Sequence, residues 1–272
     1  MTSPMTDRSH AGGEAAPVVQ RLRVRWAKRG RLRFTSHRDF QRALERAVRR
    51  AGLPIAYSAG FTPHPRISYV GAAPTGAASE AEYVELALTA AVDPSAAAQA
   101  LDAALPAGFD VLDVVEARGG TLADRIDASR WEIRLPGADH AAVAAAVRAF
   151  LDAVEVPVER VTKDGRRVMD VRAAVARLAV TASAGDHDEC VILDVVVRHL
   201  TPSVRPDDVV AGLRQVADLA LPTPPLATRL AQGHLEENGR LADPLAPDRE
   251  HIADETRRIT APDGSVSRTV ST

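Results

Sequence analysis

The sequence predicts an α+β fold made of two consecutive units of similar size, and three observations lead to this prediction. The chain has 272 residues, which suits two compact domains. Its hydrophobic content of 46% and charged content of 26% are typical of soluble globular proteins. Along most of the chain, short segments of period-two alternation are interspersed with segments of helical periodicity. A mixture of strands and helices in this order is typical of an α+β protein.

The first predicted elements are strongly basic. A period-two pattern over Gln20–Trp26 predicts a half-buried strand, and its alternation places three arginines on one face: Arg21, Arg23 and Arg25. After a turn at Gly30, the alternation resumes over Arg31–Phe34, which predicts either a hairpin or a bulged continuation of the strand.

A helix is predicted over about His37–Ala51. Ser36 can cap it, Asp39 suits its first turn, and a glycine and a proline follow its end. Apolar residues at spacings of three and four predict the buried face. Arginines at the same spacing predict a second, basic face: Arg38, Arg42, Arg46 and Arg49 or Arg50.

The next elements complete the first unit, which we place at 19–118. They are a shaped loop over Tyr57–Tyr69, a small-residue loop over Gly71–Ser79, a strand over Glu82–Leu88, a helix over Pro94–Ala104 and a strand over Phe109–Glu116. The resulting order β-α-β-β-α-β predicts a ferredoxin-like, or split βαβ, unit.

A similar mixture of strands and helices begins again after a polar break, and we interpret it as a second ferredoxin-like unit at 126–245. Its elements are strands over Arg130–Leu135, Val156–Thr162, Val175–Thr181 and Cys190–His199, and helices over Asp139–Ala153 and Pro206–Ala217. Both ends of the chain, 1–18 and 246–272, lack periodicity and are predicted to be disordered.

Composition excludes several classes of chemistry. The single cysteine, Cys190, rules out an intramolecular disulfide and a Cys-rich zinc or iron–sulfur site, and its apolar neighbours suggest a core residue. Motifs for nucleotide hydrolysis, zinc proteolysis, thiol redox and serine hydrolysis are missing from the sequence. No signal peptide or membrane span is evident, so we expect a cytoplasmic protein without membrane association, cofactor or metal.

Charge is distributed unevenly and points to a polyanionic partner. The formal net charge is −2, yet the segment 21–66 contains 13 lysines or arginines against only Asp39 and Glu45. We therefore expect RNA to be the partner, held through arginine–phosphate contacts. The candidate contact residues are Arg21, Arg23, Arg25, Arg38, Arg42, Arg46 and Arg66, with Tyr57 and Tyr69 as candidates for base stacking.

Two histidines offer an alternative hypothesis. His37 lies at the start of the predicted helix and His64 lies in a proline-rich loop. If the fold brings them together, one imidazole could deprotonate a 2′-hydroxyl while the other protonates the leaving oxygen, giving a metal-independent endoribonuclease. The competing interpretation is that each histidine only holds its own loop.

Three motifs resemble those of the bacterial radical-SAM-associated proteins, a family of unknown function. They run from Arg31 to Asp39, from Gly60 to Arg66 and from Gly76 to Glu80. The resemblance covers roughly 20–235, and its motif residues include Ser36, Asp39, Gly60, Phe61, Pro63, Pro65, Gly76, Ser79 and Glu80.

The resemblance implies a role in RNA or ribosome metabolism, with ribosomal or transfer RNA as the partner and association with a radical SAM enzyme or a ribonuclease of the E/G type. This chain lacks the CxxxCxxC motif of radical SAM enzymes, so radical chemistry does not transfer to it. We therefore expect a non-catalytic RNA-binding or adaptor protein, or else a module that docks onto a separate radical SAM enzyme.

Overall fold

The computed structural model describes residues 16–162, 165–181 and 190–250. Its first half contains β1 (Gln20–Lys28), α1 (His37–Arg50), β2 (Ile67–Val70), β3 (Ala78–Leu88), α2 (Pro94–Ala104) and β4 (Phe109–Glu116). Its second half contains β5 (Ala128–Pro136), α3 (His140–Asp152), β6 (Pro157–Thr162), β7 (Gly165–Asp170), α4 (Val171–Ala174), β8 (Val175–Thr181), β9 (Cys190–Arg198), α5 (Pro206–Ala217) and β10 (Leu226–Gly233). The predicted α+β class is confirmed.

One large mixed sheet runs through both halves. Its strand order is β4-β1-β3-β10-β5-β9-β8, and β2 pairs with β3 beside β10. The halves meet where β3 and β10 run parallel, with Ala78 opposite Thr228 and Ser79 opposite Arg229. The other pairs in this sheet are antiparallel, and β6 and β7 form a separate hairpin. The strands of the first half therefore lie in the order β4-β1-β3-β2, and those of the second in the order β10-β5-β9-β8.

Each half buries its own hydrophobic core between strands and helices. In the first half, Leu22 and Val24 of β1 pack with Phe40 of α1 and Leu101 of α2. In the second half, apolar residues of β5, β8 and β9 pack with α3 and α5, and Ala73 and Ala77 from the first half join this cluster. The loop 71–77 therefore ties the first half to the second core.

The link between β1 and α1 differs from the prediction. Residues Gly30–Phe34 form a 3₁₀ helix and not a strand. Gly30 has a φ of +54°, which ends the extended chain, and Leu32 packs against the first core beside Gly108. The alternation of this short segment therefore reflects one inward apolar side chain in a turn and not strand pairing.

The C-terminal part of the fold was predicted only in outline. The sequence predicted no element after the helix over Pro206–Ala217, yet the segment that follows supplies β10, between β3 and β5. Residues 246–250 are helical, and Leu245 and Asp248 are fully buried, so the predicted disordered tail begins at least five residues too early. Residues 1–15 and 251–272 of the predicted tails lie outside the described residues.

The predictions about Cys190 and about membrane-spanning segments can be compared with the structure. Cys190 is buried at the start of β9, 6% exposed, as expected of a core residue. Within the described ranges, no helix is both long and apolar enough to cross a membrane. The domain boundaries at 19–118 and 126–245 remain predictions.

Candidate nucleic-acid interface

Helix α1 presents a row of arginines to solvent. The Ser36 side chain caps the helix by accepting a hydrogen bond from the backbone N–H of Asp39 at 3.2 Å. Phe40 and Leu44 are buried on the inward side. Because residues three and four apart share a helix face, the outward side carries a continuous set of exposed guanidinium groups. This α1 arginine face consists of Arg38, Arg42, Arg46 and Arg49.

The two carboxylates of α1 compensate this face only weakly. The Asp39 carboxylate lies 3.9 Å from Arg42, and both side chains are about 60% exposed, so solvent screens the pair. Burial raises the pKa of the Tyr69 hydroxyl, and the negative charge of Glu45 raises it further. In the described part of the chain, the other arginines of the face make no ion pair, and the face keeps its positive charge.

The arginines of β1 do not belong to this surface. The Arg23 side chain is 2% exposed and pairs with Asp248 at 2.9 Å and with Glu85 at 3.1 Å. Arg21 pairs with Glu85 at 3.0 Å, and Arg25 is half-buried and donates to the carbonyl of Glu80. The Arg23 side chain is therefore enclosed and neutralised, and it does not lie on an accessible surface.

The covering of β1 has a clear physical cause. Alternation does place the three arginines on one face of the strand, but this face packs against the rest of the chain. Leu245 is fully buried in a small apolar cluster there, which anchors the C-terminal segment over the sheet. Asp248 from this segment also accepts hydrogen bonds from Arg125 and from the backbone N–H of Arg118. Of the two predicted basic faces, the one on α1 therefore remains exposed, together with its neighbouring loop.

That loop is an exposed arm between α1 and β2, which we call the 57–66 arm. Tyr57 is bridged to Pro65, and the Ser58 N–H donates to the carbonyl of His64 at 2.9 Å, so the arm folds back on itself like a hairpin. Phe61 lies near its tip and is 96% exposed. The arm therefore presents an aromatic ring and the exposed Arg66 on the same short segment.

The conformation of the arm explains part of its motif. Gly60 has a φ of +114°, a conformation that residues with a Cβ rarely adopt. Pro63 and Pro65 flank His64, and their fixed φ angles restrict the return strand of the arm. These motif residues shape the arm, and Phe61 is the one whose exposure suggests contact with a partner.

Among the described residues, the two candidate catalytic histidines are not joined by any hydrogen bond or ring contact. The His37 ring lies edge-on to Tyr69, with centroids 5.1 Å apart, and its Nε2 is 3.1 Å from the Gln41 amide. His64 is exposed in the 57–66 arm. The two-histidine ribonuclease stays a hypothesis that no contact supports. Within the same ranges, no group of three or more His, Cys, Asp or Glu side chains is placed to hold a metal ion.

Tyr69 is less accessible than a residue that stacks on RNA bases needs to be. Its ring lies edge-on to both His37 and Phe40, and its hydroxyl is buried without a hydrogen-bond partner among the described residues. Tyr57 is 38% exposed. Of the two predicted stacking residues, Tyr57 is the more accessible, and Phe61 is more exposed than either.

The third motif, Gly76–Glu80, serves the join between the halves. Gly76 has a φ of +96°, and its N–H donates to the carbonyl of Arg33. Ser79 accepts a hydrogen bond from Arg229 of β10 at 3.3 Å, and Glu80 forms an ion pair with Arg29. These residues therefore stabilise the β3–β10 contact and the end of β1.

A buried cluster of charged residues lies at this join and was not predicted from the sequence. Glu82 forms an ion pair with Arg229, and both side chains are 4% exposed. Lys28 is also buried, and its Nζ donates to the carbonyls of Ala73 and Pro74, at 3.5 and 3.3 Å. The sequence offers one signal for it: polar residues on β3 and β10 at positions where the alternation predicts burial.

Lys28 makes the stability of the protein dependent on pH. Burial lowers the pKa of Lys28 below the ordinary value of 10.5, and this outweighs the attraction of Glu82. The unfolded chain therefore binds the proton more tightly, so the free energy of unfolding should rise as pH climbs through the interval below 10.5. Lys28→Met should remove this rise, measured by urea denaturation between about pH 8 and pH 10. Parallel pH profiles for the two proteins would contradict the assignment.

The fold and the exposed basic residues define a mixed α+β protein with a cationic helix face and an adjacent aromatic arm. A family model described as "Uncharacterized protein conserved in bacteria (DUF2344)" matches residues 21–206. The chain belongs to this family. No curated protein matches the chain.

Solved structures give only distant similarities. An unknown protein from Galdieria sulphuraria is 16% identical, with 73% of this chain and 92% of that chain covered and a TM-score of 0.22. A variant of DypB from Rhodococcus jostii RHA1 in complex with heme is 11% identical, with 80% and 92% covered and a TM-score of 0.19. These similarities carry no argument about function.

Proposed function

We propose that this protein binds structured RNA, ribosomal or transfer RNA, through the α1 arginine face and the 57–66 arm. The observation that carries the proposal is the row of exposed guanidinium groups on α1. The Asp39 carboxylate lies 3.9 Å from Arg42 in solvent, so it neutralises this row only weakly. The arginines of β1 are left out, because they are paired or partly enclosed.

The chemistry of the surface suits a phosphate backbone. A guanidinium group can donate two parallel hydrogen bonds to a phosphate, and a row of arginines on one helix face can follow successive phosphates. Phe61 and Tyr57 on the arm could stack on unpaired bases, which is how proteins commonly recognise loops and bulges of RNA. Phosphate contacts by α1 would supply affinity, and stacking by the arm would favour RNA with unpaired bases.

We place this activity in a non-catalytic adaptor of the cytoplasm, working with a radical SAM enzyme or a ribonuclease of the E/G type. This part rests on the motif resemblance alone. We also propose that each half is a ferredoxin-like unit. The matching strand orders β4-β1-β3-β2 and β10-β5-β9-β8 support this, with β6, β7 and α4 as an insertion in the second unit.

The test is RNA binding by a variant in which three arginines of the face are removed: Arg38→Ala, Arg42→Ala and Arg46→Ala. A matched control removes three exposed arginines of the second half: Arg148→Ala, Arg214→Ala and Arg240→Ala. We expect the first variant to bind purified bacterial transfer RNA and ribosomal RNA fragments at least about tenfold more weakly, while the control binds nearly as the parent does.

Salt dependence makes the test sharper. Loss of three phosphate contacts should reduce the slope of log affinity against log salt by about 2–3. Equal affinities and slopes for the two variants would contradict the proposed surface. Phe61→Ala should weaken binding to RNA with unpaired loops more than binding to duplex RNA. Partners that co-purify after nuclease treatment would instead favour a protein-docking module.

A further inference from the structure

A cleft of about 350 Å³ opens at the join between the two halves. One side is formed by the loop after β2, at Gly71, Ala72 and Pro74. The other side is formed by β5, β10, the end of β9 and the segment that leads into α5. This central cleft lies at the lower end of the volume range of small-molecule sites, which suits one small ligand and not a polymer.

A buried guanidinium group lines the cleft with hydrogen-bonding capacity to spare. Arg229 is 3% exposed, its Nε donates to Ser79, and its Nη2 donates to Glu82. Its Nη1 makes no hydrogen bond to any residue that the structure describes. Arg229 lines the cleft, so this edge of the guanidinium group can form a charge-assisted hydrogen bond with an acceptor placed there. Arg229 is therefore prepared to donate to an acceptor oxygen in the cleft.

A hydroxyl–imidazole pair lies beside this arginine. The Ser129 Oγ is 2.7 Å from Nε2 of His199 at the rim of the cleft. Partial burial lowers the pKa of His199, with the Arg229 guanidinium adding to the effect, so the ring is neutral near pH 7. The Ser129 Oγ also lies 3.4 Å from Oε1 of Gln232, which can only accept, so the single hydroxyl proton is used within the protein. Ser129 then keeps only lone pairs for a ligand.

The charge of the lining selects the class of ligand. Arg229 and Arg205 line the cleft, and none of the described residues that line it carries a carboxylate. Glu82 pairs with Arg229 but is not part of the lining. Trp131, Val197 and Val204 provide apolar surface next to these groups. The guanidinium group of Arg229 also lies 5.3 Å from the centroid of the Trp131 ring, which fixes its orientation.

We propose that the central cleft binds a small organic anion, whose carboxylate or phosphate oxygens accept hydrogen bonds from Arg229 and whose apolar body packs against Trp131. Arg205 at the rim supplies a second positive charge, and the lone pairs of Ser129 accept a hydrogen bond from any donor that the ligand carries. This site is separate from the α1 arginine face and does not depend on RNA binding.

The chain contains a suitable reporter for the test. It has two tryptophans, Trp26 in the first core and Trp131 in the cleft, so Trp26→Phe leaves Trp131 as the only source of tryptophan fluorescence. The probes are benzoate and phenyl phosphate, which share an apolar ring, together with inorganic phosphate, acetate and benzyl alcohol. We expect saturable quenching by benzoate or phenyl phosphate with a Kd of about 1 mM or below, and weaker or no binding of the other three. The stronger of the two ring compounds identifies the anionic group.

Two variants locate the binding. Arg229→Lys keeps a cation opposite Glu82 but removes the guanidinium donors, and it should weaken binding at least about tenfold. Ala72→Phe at an exposed position of the cleft should block entry without disturbing the core, and Arg214→Lys on α5 is the matched control. Absence of saturable quenching by every probe, equal binding of benzyl alcohol and benzoate, or unchanged binding by both variants would each overturn the proposal.

Discussion

Replacing Asp248 with alanine is expected to destabilise the protein by about 3–5 kcal/mol. Asp248 is fully buried, and its carboxylate accepts from Arg23 at 2.9 and 3.0 Å and from Arg125 at 2.8 Å. Without it, the enclosed guanidinium of Arg23 keeps Glu85 but loses the carboxylate whose two oxygens both accept from its Nη1, and Arg125 loses the same partner. A buried charge that is only partly compensated costs far more than a lost surface pair, which is why a large effect is expected.

Urea denaturation of Asp248→Ala beside Asp124→Ala would measure this effect. Asp124 is exposed in the same region, so its replacement should change the free energy of unfolding by no more than about 0.5 kcal/mol. Similar stabilities for the two variants would show that the C-terminal segment does not hold the arginine face of β1 as described.

The second large effect is expected for Glu82→Ala, again about 3–5 kcal/mol. Glu82 is the carboxylate that neutralises Arg229, its second oxygen accepts from the backbone N–H of Ala73 at 3.1 Å, and it attracts Lys28. Its removal leaves two buried cations together and frees the loop that closes one side of the central cleft. Both consequences lower the stability of the join between the halves.

A double variant separates these two causes. In the Glu82→Ala background, Lys28→Met removes one of the two cations and should restore part of the lost stability, as the non-additivity of neighbouring sites requires. Glu237→Ala, at an exposed position, is the control and should change little. If Lys28→Met adds further destabilisation in this background, repulsion between the cations is not the cause of the loss.

Much of the secondary structure could be predicted because local patterns determined it. Helix α1 was expected to end at Ala51 and ends at Arg50, and α2 and β4 have the predicted bounds. In each case a cap, a proline or a strict alternation marked the boundary. The segment 30–34 was mispredicted because four alternating residues fit a turn as well as a strand.

The strand β10 could not be predicted from local pattern. It is central in the sheet, and the residues on either side of it along the chain are loops, so neither flank signals its role. Its pairing with β3 depends on tertiary contacts such as those of Arg229 with Ser79 and Glu82. The charged cluster was missed for the same reason, since its members come from three distant strands.

The sequence predicted the exposure of the arginines on α1 but not the covering of the arginines on β1. Helical spacing identified the α1 arginine face correctly as an exposed surface, because the opposite face is clearly apolar. Strand alternation likewise placed Arg21, Arg23 and Arg25 on one face, but it carries no information about what covers that face. The acidic remainder of the chain supplies the cover, so part of the charge asymmetry is cancelled within the molecule.

The pairing of Arg23 with Asp248 spans 225 positions of the chain. Bacterial ribosomes add about 5–20 residues per second, so Arg23, which can pair early with Glu85, waits on the order of 10–50 s for its second carboxylate, Asp248, during synthesis. Until then the Nη1 of Arg23 lacks this partner, and the C-terminal segment cannot pack over β1. Completion of the native state is thereby tied to the emergence of nearly the whole polypeptide.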